Sequence, residues 1–398
     1  MKFAFVFPGQ GSQSAGMMQP FADSKAVRDV FSEASGVLQQ DLWKLAAEGP
    51  ESELNATVNT QPVMLTAGYA VYRAWREAGG PEPALLAGHS LGEYTALVVA
   101  GAVAFRDALP LVRFRAQAMQ EAVPMGEGAM AAILGLDDGA VRAACDEARQ
   151  GQVVEPVNFN APGQVVIAGS AEGVAAATIT AKELGAKKVM PLPVGGAFHT
   201  PYMAPARDDL RKAIDAVHFR APDVPVVANI DARPHVDAAE WSKLLSGQLV
   251  SPVRWRHSVA RMFEDGARTF VELGPGNVLT GTVKRIAPEA RALNVSTPAD
   301  LDALLETLAG EPALQHDVPE GEHLYLVERM VVSPAAGIFT PAEPWRTSPN
   351  GTVEVGDLLG SIGDVEVRSR FAGQVMGFIA VDGERVTASQ PIAWLRTA

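Results

Sequence analysis

Cysteine occurs once in this chain of 398 residues, as Cys145. That scarcity excludes an intramolecular disulfide and any metal site built from several thiolates. Its setting in the helix-like run VRAACDEARQ reads as packing of a small side chain. Long apolar runs are missing as well. The opening MKFAFVF offers five apolar residues after Lys2, too few for a secretory signal core, and no stretch approaches the ~20 residues needed to span a bilayer. A cytoplasmic protein working away from membranes is expected. Cations are outnumbered: 33 lysines and arginines face 46 aspartates and glutamates, a formal net charge of −13, which argues against nucleic acid as a partner. Lysine stops altogether at Lys284, so nothing carried on a lysine can sit beyond that point.

What is present is ordinary globular material, 47% apolar and 20% charged, in a chain too long for one small domain. Short apolar runs at 3–7, 84–87, 226–228 and 269–273 have the look of strands buried on both faces. Helical patterns such as AVRDVFSEASGVL and PARDDLRKAIDAV separate them. The alternation predicts an α/β domain with a mainly parallel sheet. Residues 126–192 read differently, as strand, helix, two strands, helix and strand, which predicts a ferredoxin-like subdomain inserted in the larger one.

The segment LAGHSLGEYT, residues 86–95, holds Gly88-His89-Ser90-Leu91-Gly92 between a strand pattern and a helix pattern. Gly-x-Ser-x-Gly in that setting is a nucleophile elbow: a tight turn lifts the serine hydroxyl clear, and the following helix aims amides at nearby negative charge. Ser90 is therefore the candidate nucleophile, and it needs a base. Of seven histidines, His89 adjoins Ser90 on the turn and should point elsewhere. His218, His235, His257, His316 and His323 lack a small-residue setting. His199, after Gly195-Gly196 and at the start of a helix pattern, is the candidate the residues favour, although spacing alone leaves its role open.

Six blocks, FVFPGQGSQ, GHSLGEY, RFRAQAMQEAV, VNFNAPGQVVIAG, GAFHTPYM and ELGPGNVLTG, stand in the order seen in malonyl-CoA:acyl-carrier-protein transacylases, and residues 1–306 resemble that family. The resemblance implies a hydrolase-like α/β core and transfer of malonyl from coenzyme A to the phosphopantetheine thiol of an acyl carrier protein, with no further cofactor and no metal. It implies Ser90 as nucleophile and His199 as base and acid, with the backbone carbonyl of Gln248 orienting the imidazole. It implies an oxyanion hole from the amides of Gln10 and Leu91, and a carboxylate clamp at Arg115. Asn160 falls near the substrate by the same resemblance, and Phe198 beside the α-carbon of the acyl group. A thioesterase or esterase of the α/β-hydrolase type is the alternative, weakened by the lack of an obvious Asp or Glu as third member. An acidic carrier would need a cationic landing site, for which Lys187, Lys188, Lys284 and Arg285 are candidates.

The polar run EPALQHDVPEGEH suggests a linker over 307–325. From 326 to 398 the chain repeats itself weakly, SPAAGIF against SRFAGQV and NGTVEVGDLLGSI against DGERVTASQPIAWL, predicting a small β-sandwich of two similar halves. This part resembles biotinyl and lipoyl carrier domains. The segment GSIGDVEVRSR, at their modified hairpin, has no lysine, so neither group can be attached.

Overall fold

The computed structural model describes residues 2–124, 126–194, 196–310, 328–343, 345, 351–387 and 390–396. The chain forms two compact units, Met1–Gln315 and His316–Ala398. In the first, β1 (Lys2–Phe7), β2 (Leu85–Gly88), β3 (Gly128–Leu134), β4 (Val154–Ala161), β5 (Gln164–Ser170), β6 (Lys188–Pro191), β7 (Val226–Val227), β8 (Pro234–His235), β9 (Ala267–Leu273) and β10 (Arg291–Val295) sort into two sheets. The larger has the order β10-β9-β1-β2-β7-β8 and is parallel except for β8. Residues 3–7 of β1 are all buried, as a central strand covered on both faces requires. Phe5 meets Trp75 edge to face at 5.7 Å, tying the strand to the long helix Thr57–Glu77.

From β1 the chain runs to β2 and β7 on one side and later to β9 and β10 on the other. The winding therefore reverses between β9 and β1, and a cavity lined by Gln10 and Ser90 opens beyond the carboxyl ends of β1 and β2. Gln10 follows the first of these strands and Ser90 the second. The smaller sheet is antiparallel, order β4-β5-β3-β6, with helices Asp138–Ala148 and Ala171–Glu183 packed on it around Cys145, Val165 and Ile167. The helix Pro298–Gly310 carries regular structure past residue 306, so a linker beginning at 307 starts too early, and the rest of that segment, 311–325, lies outside the described residues.

In the second unit, β11 (Glu328–Val332), β12 (Gly337–Pro341), β13 (Thr352–Val353), β14 (Leu358–Ile362), β15 (Val365–Arg368), β16 (Gly373–Phe378), β17 (Arg385–Val386) and β18 (Pro391–Arg396) make two four-stranded antiparallel sheets. Their orders are β11-β18-β16-β13 and β15-β14-β12-β17. Exchanging β11–β14 with β15–β18 one for one turns either order into the other. The equivalence reaches single hydrogen bonds: Ser333 Oγ donates to the Ala335 carbonyl and Ser369 Oγ to the Phe371 carbonyl, and both serines are buried.

Candidate active site

Ser90 lies between the end of β2 and the helix Gly92–Val99. Its own φ is +51°, in the left-handed region that non-glycine residues rarely enter. The flanking glycines serve a different need from the backbone freedom their pattern suggests. A Cβ on Gly88 would lie 1.8 Å from the Gly92 carbonyl carbon, and one on Gly92 would lie 2.1 Å from the Phe7 carbonyl oxygen. They let helix, turn and β1 close on one another, while the serine carries the strained dihedral.

His199, also left-handed at φ +64°, brings Nε2 to 2.8 Å from Ser90 Oγ. Its Nδ1 is 2.9 Å from the Gln248 backbone oxygen. A carbonyl can only accept, so Nδ1 carries the proton and Nε2 is left free to accept the serine's. Among the described residues no carboxylate stands at Nδ1, the position a Ser-His-Asp hydrolase would fill with one. Burial, and then the nearby Arg115 cation, lower the imidazole pKa to about 3.

Arg115, on the helix Phe105–Glu121, is fully buried. Nη1 donates to Gln61 Oε1 at 2.7 Å, and Nη2 donates to Gln248 Oε1 at 2.8 Å and to Ser90 Oγ at 3.1 Å. Among the described residues its Nε has no partner, and burial lowers the pKa of the group from the ordinary arginine value. A cation held this way, with two neutral amides and the Ser90 hydroxyl as its acceptors, is prepared for an anion beside the nucleophile.

A cavity opens over these groups, lined also by Gln10, Leu91, Met130, Asn158 and Phe198. Among the described residues, neither the Gln10 nor the Leu91 backbone amide donates to a protein acceptor. Phe198 is nearly buried, and its ring lies against Gly196, where a Cβ would meet it at 2.3 Å. Asn160 is placed otherwise than the resemblance implies: its Oδ1 accepts from His89 Nε2 at 2.8 Å, and the residue of β4 lining the cavity is Asn158. The pairing of β4 with β5 shifts register between Pro156 and Asn158 and between Phe159 and Ala161, which breaks simple alternation of side chains there. His89 is turned onto Asn160 and Trp255, away from Ser90 Oγ. Arg285 bridges to Gln164 Oε1 and the Pro162 carbonyl, and the stem of Lys187 covers Gly135 next to that same hairpin.

Three further buried residues complete the site, two of them without a local signature in the sequence. Gln61 and Asn229 come from helix and loop far along the chain, Asn229 Oδ1 accepting from the Ser90 amide at 2.7 Å. Glu93 lies in the block GHSLGEY, and its being the sole charge on an otherwise apolar helix was the available signal. Among the described residues no group of His, Cys, Asp and Glu is arranged to hold a metal, and no helix is long and apolar enough to cross a membrane.

Residues 4–306 match the model of the acyl transferase domain family. The malonyl CoA-acyl carrier protein transacylase of Escherichia coli strain K12 is 50% identical over 306 residues, 77% of this chain and 99% of that protein. The crystal structure of an acyl-carrier-protein S-malonyltransferase from Burkholderia pseudomallei 1710b is 57% identical with a TM-score of 0.76, covering 77% of this chain and 100% of its own. A malonyl-transacylase solved in complex with its type II PKS acyl-carrier protein is 48% identical with a TM-score of 0.76, over 77% of this chain and 100% of that one.

Proposed function

This chain belongs to the acyl transferase domain family, and from that premise we propose that it moves malonyl from malonyl-CoA to the phosphopantetheine thiol of an acyl carrier protein, supplying extender units for fatty-acid or polyketide synthesis. The observation that carries the reading is the fully buried Arg115 guanidinium at 3.1 Å from the nucleophile oxygen. A fixed cation there selects an acyl group that ends in a carboxylate, which a general hydrolase has no use for.

In the first half-reaction His199 Nε2 takes the Ser90 proton as Oγ attacks the thioester carbonyl. The oxyanion falls to the Gln10 and Leu91 amides, which have no acceptor among the described residues to give up. Collapse breaks the carbon–sulfur bond, the imidazolium gives its proton to the departing thiolate, and malonyl remains as an ester on Ser90. In the second half the carrier thiol gives its proton to His199, its sulfur attacks the ester, and Ser90 leaves with that proton. The Gln248 carbonyl keeps the imidazole in the required tautomer throughout.

The fold reading that goes with this is a hydrolase-like core with a ferredoxin-like insertion over about 126–192, followed by a biotinyl/lipoyl-like sandwich over 326–398 that lacks the modifiable lysine. We place the protein in the cytoplasm, consistent with its one cysteine; fractionation of cells into membrane, periplasmic and cytoplasmic pools tests this, and recovery outside the cytoplasmic pool refutes it. The carrier docks on the cations flanking the 162–164 hairpin, so reversing Lys187 and Arg285 to glutamate slows carrier association and flattens its salt dependence. Unchanged association rates remove them from the docking site. The whole reading is tested by mixing the protein with malonyl-CoA and a phosphopantetheinylated carrier and weighing both by mass spectrometry. Malonyl on the carrier supports transfer, whereas free malonate with an unmodified carrier supports hydrolysis.

Two substitutions test how the acyl group is chosen. Arg115→Ala removes one charge-assisted pair, worth roughly 1.5–3 kcal/mol, so malonyl use drops by about 10- to 150-fold while use of acetyl-CoA changes much less. Equal losses for the two make Arg115 structural. Phe198→Ser opens space beside the acyl α-carbon. Forcing a branch methyl against the native ring costs roughly 1–3 kcal/mol, so the unmodified protein prefers malonyl-CoA over methylmalonyl-CoA by about 5- to 150-fold, and the variant narrows that ratio. Comparable rates for the two thioesters in the unmodified protein reject the steric argument.

A further inference from the structure

We propose that Glu93 is a positioning residue: it fixes which way the Gln248 side-chain amide faces, and through Gln248 and Asn229 it holds Arg115 and the Ser90 peptide in working geometry. The inference rests on the malonyl-transfer reading for what Arg115 binds, and on the hydrogen-bond pattern for everything else.

Gln248 has four duties. Its backbone oxygen accepts from His199, its Oε1 accepts from Arg115, and its Nε2 donates both to the Ser90 carbonyl at 2.9 Å and to Glu93 Oε2. Ionised, Glu93 only accepts, so in that form it requires the amide nitrogen on its side, and that leaves the amide oxygen for Arg115, which only donates. The other oxygen, Oε1, accepts from the Asn229 amide at 3.3 Å. Asn229 in turn accepts from the Ser90 amide at 2.7 Å and donates from Nδ2 to the Gly88 carbonyl at 2.7 Å. Both backbone groups of Ser90 are therefore held by side chains of the two residues that Glu93 holds, Gln248 at its side-chain amide and Asn229 at its backbone N–H.

Ser90 is where such restraint is needed, since a non-glycine residue at φ +51° persists only when its surroundings over-determine it. Glu93 is 1% exposed and does not line the cavity, so it is not a substrate contact. A carboxyl so placed is costly to bury, and desolvation raises its pKa to about 7 against the opposing hydrogen bonds and the Arg115 cation. A side chain needed for packing alone would fill the same space without that cost.

Glu93→Gln keeps the shape and removes one acceptor. If its new amide nitrogen faces Gln248, that side chain must flip and present nitrogen to Arg115; if it faces Asn229, the Asn229 amide loses its acceptor. The relay through Gln248 predicts that the folded variant loses malonyl transfer by about 10- to 100-fold and that its malonyl-to-acetyl preference collapses. An unchanged preference in Glu93→Gln, or equal losses for malonyl and acetyl, overturns the proposal. Should Glu93→Gln not fold, Gln248→Met removes the same amide while keeping the backbone carbonyl. It must then lower the malonyl-to-acetyl ratio, and an unchanged ratio overturns the relay. Absence of any malonyl preference in the unmodified protein would instead overturn the functional reading on which this rests.

Discussion

With alanine in place of Ser90, malonyl-CoA leaves the mass of the protein unchanged and no malonyl reaches the carrier. The reason is that a nucleophile must be supported, and among the described residues only Ser90 is: its hydroxyl is bonded to a base, its backbone is held at both ends, and free amides stand beside it. Cys145 offers no substitute, being buried in the core of the smaller sheet, with its thiol pushed up to about 12 by desolvation. Cavity and Arg115 remain in the variant, so malonyl-CoA still binds, and only the covalent step fails. Intact-mass measurement after brief incubation reads this directly. An adduct retained at full occupancy in Ser90→Ala would mean that the nucleophile lies elsewhere.

His199→Ala slows both halves of the cycle, each by roughly 10²- to 10⁴-fold. One imidazole takes and returns the proton in each direction, so the two losses travel together. Rapid-quench acylation with malonyl-CoA, followed by separate discharge of the isolated acyl-enzyme to carrier, separates them. A loss confined to one half would require a second acid or base. The unmodified enzyme makes a companion prediction in pH. The neutral ring is the active base, and a pKa lowered to about 3 keeps it neutral through the range in which a free histidine would be protonated. The rate of acylation per free enzyme therefore shows no imidazole limb near 6.5, and any limb assignable to His199 lies toward pH 3. Titration of that limb at 6.5 would contradict the buried, Arg115-facing setting of the ring.

The parts of the site legible in the sequence are those whose chemistry is local. A buried strand, two glycines around a serine and a helix lie within a dozen residues, and His199 sits in its own small-residue turn. Even there the pattern misdirects in one respect, since the glycines are required for close approach and the left-handed dihedral falls on Ser90. Gln248 could be reached only through family resemblance, because a backbone carbonyl leaves no mark in the side chains. Gln61 and Asn229 had no signal at all: each is a polar residue in a stretch that reads as core, satisfied by partners far along the chain. Asn160 was placed by resemblance, and the register shifts of β4 decide instead which asparagine turns toward the cavity. The parallel core was legible for the same reason as the elbow, in that its central strands are continuous apolar runs bounded by turn residues. The end of the first unit was not, because the helix Pro298–Gly310 continues through a boundary drawn on composition alone.

The second unit bears on history. Each of its sheets takes two strands from one half and two from the other, β11 and β13 with β16 and β18, β12 and β14 with β15 and β17. A half on its own would keep a single pair, β12 with β14 or β16 with β18, and leave its other two strands without neighbours, and a segment that short buries too little to stand alone. Two identical copies of such a half, crossing strands about a twofold axis, would complete both sheets, and the single chain carries that same symmetry. The hairpin at Gly363–Asp364, which joins β14 to β15, is where fusion of two such copies would have turned a dimer into a single chain.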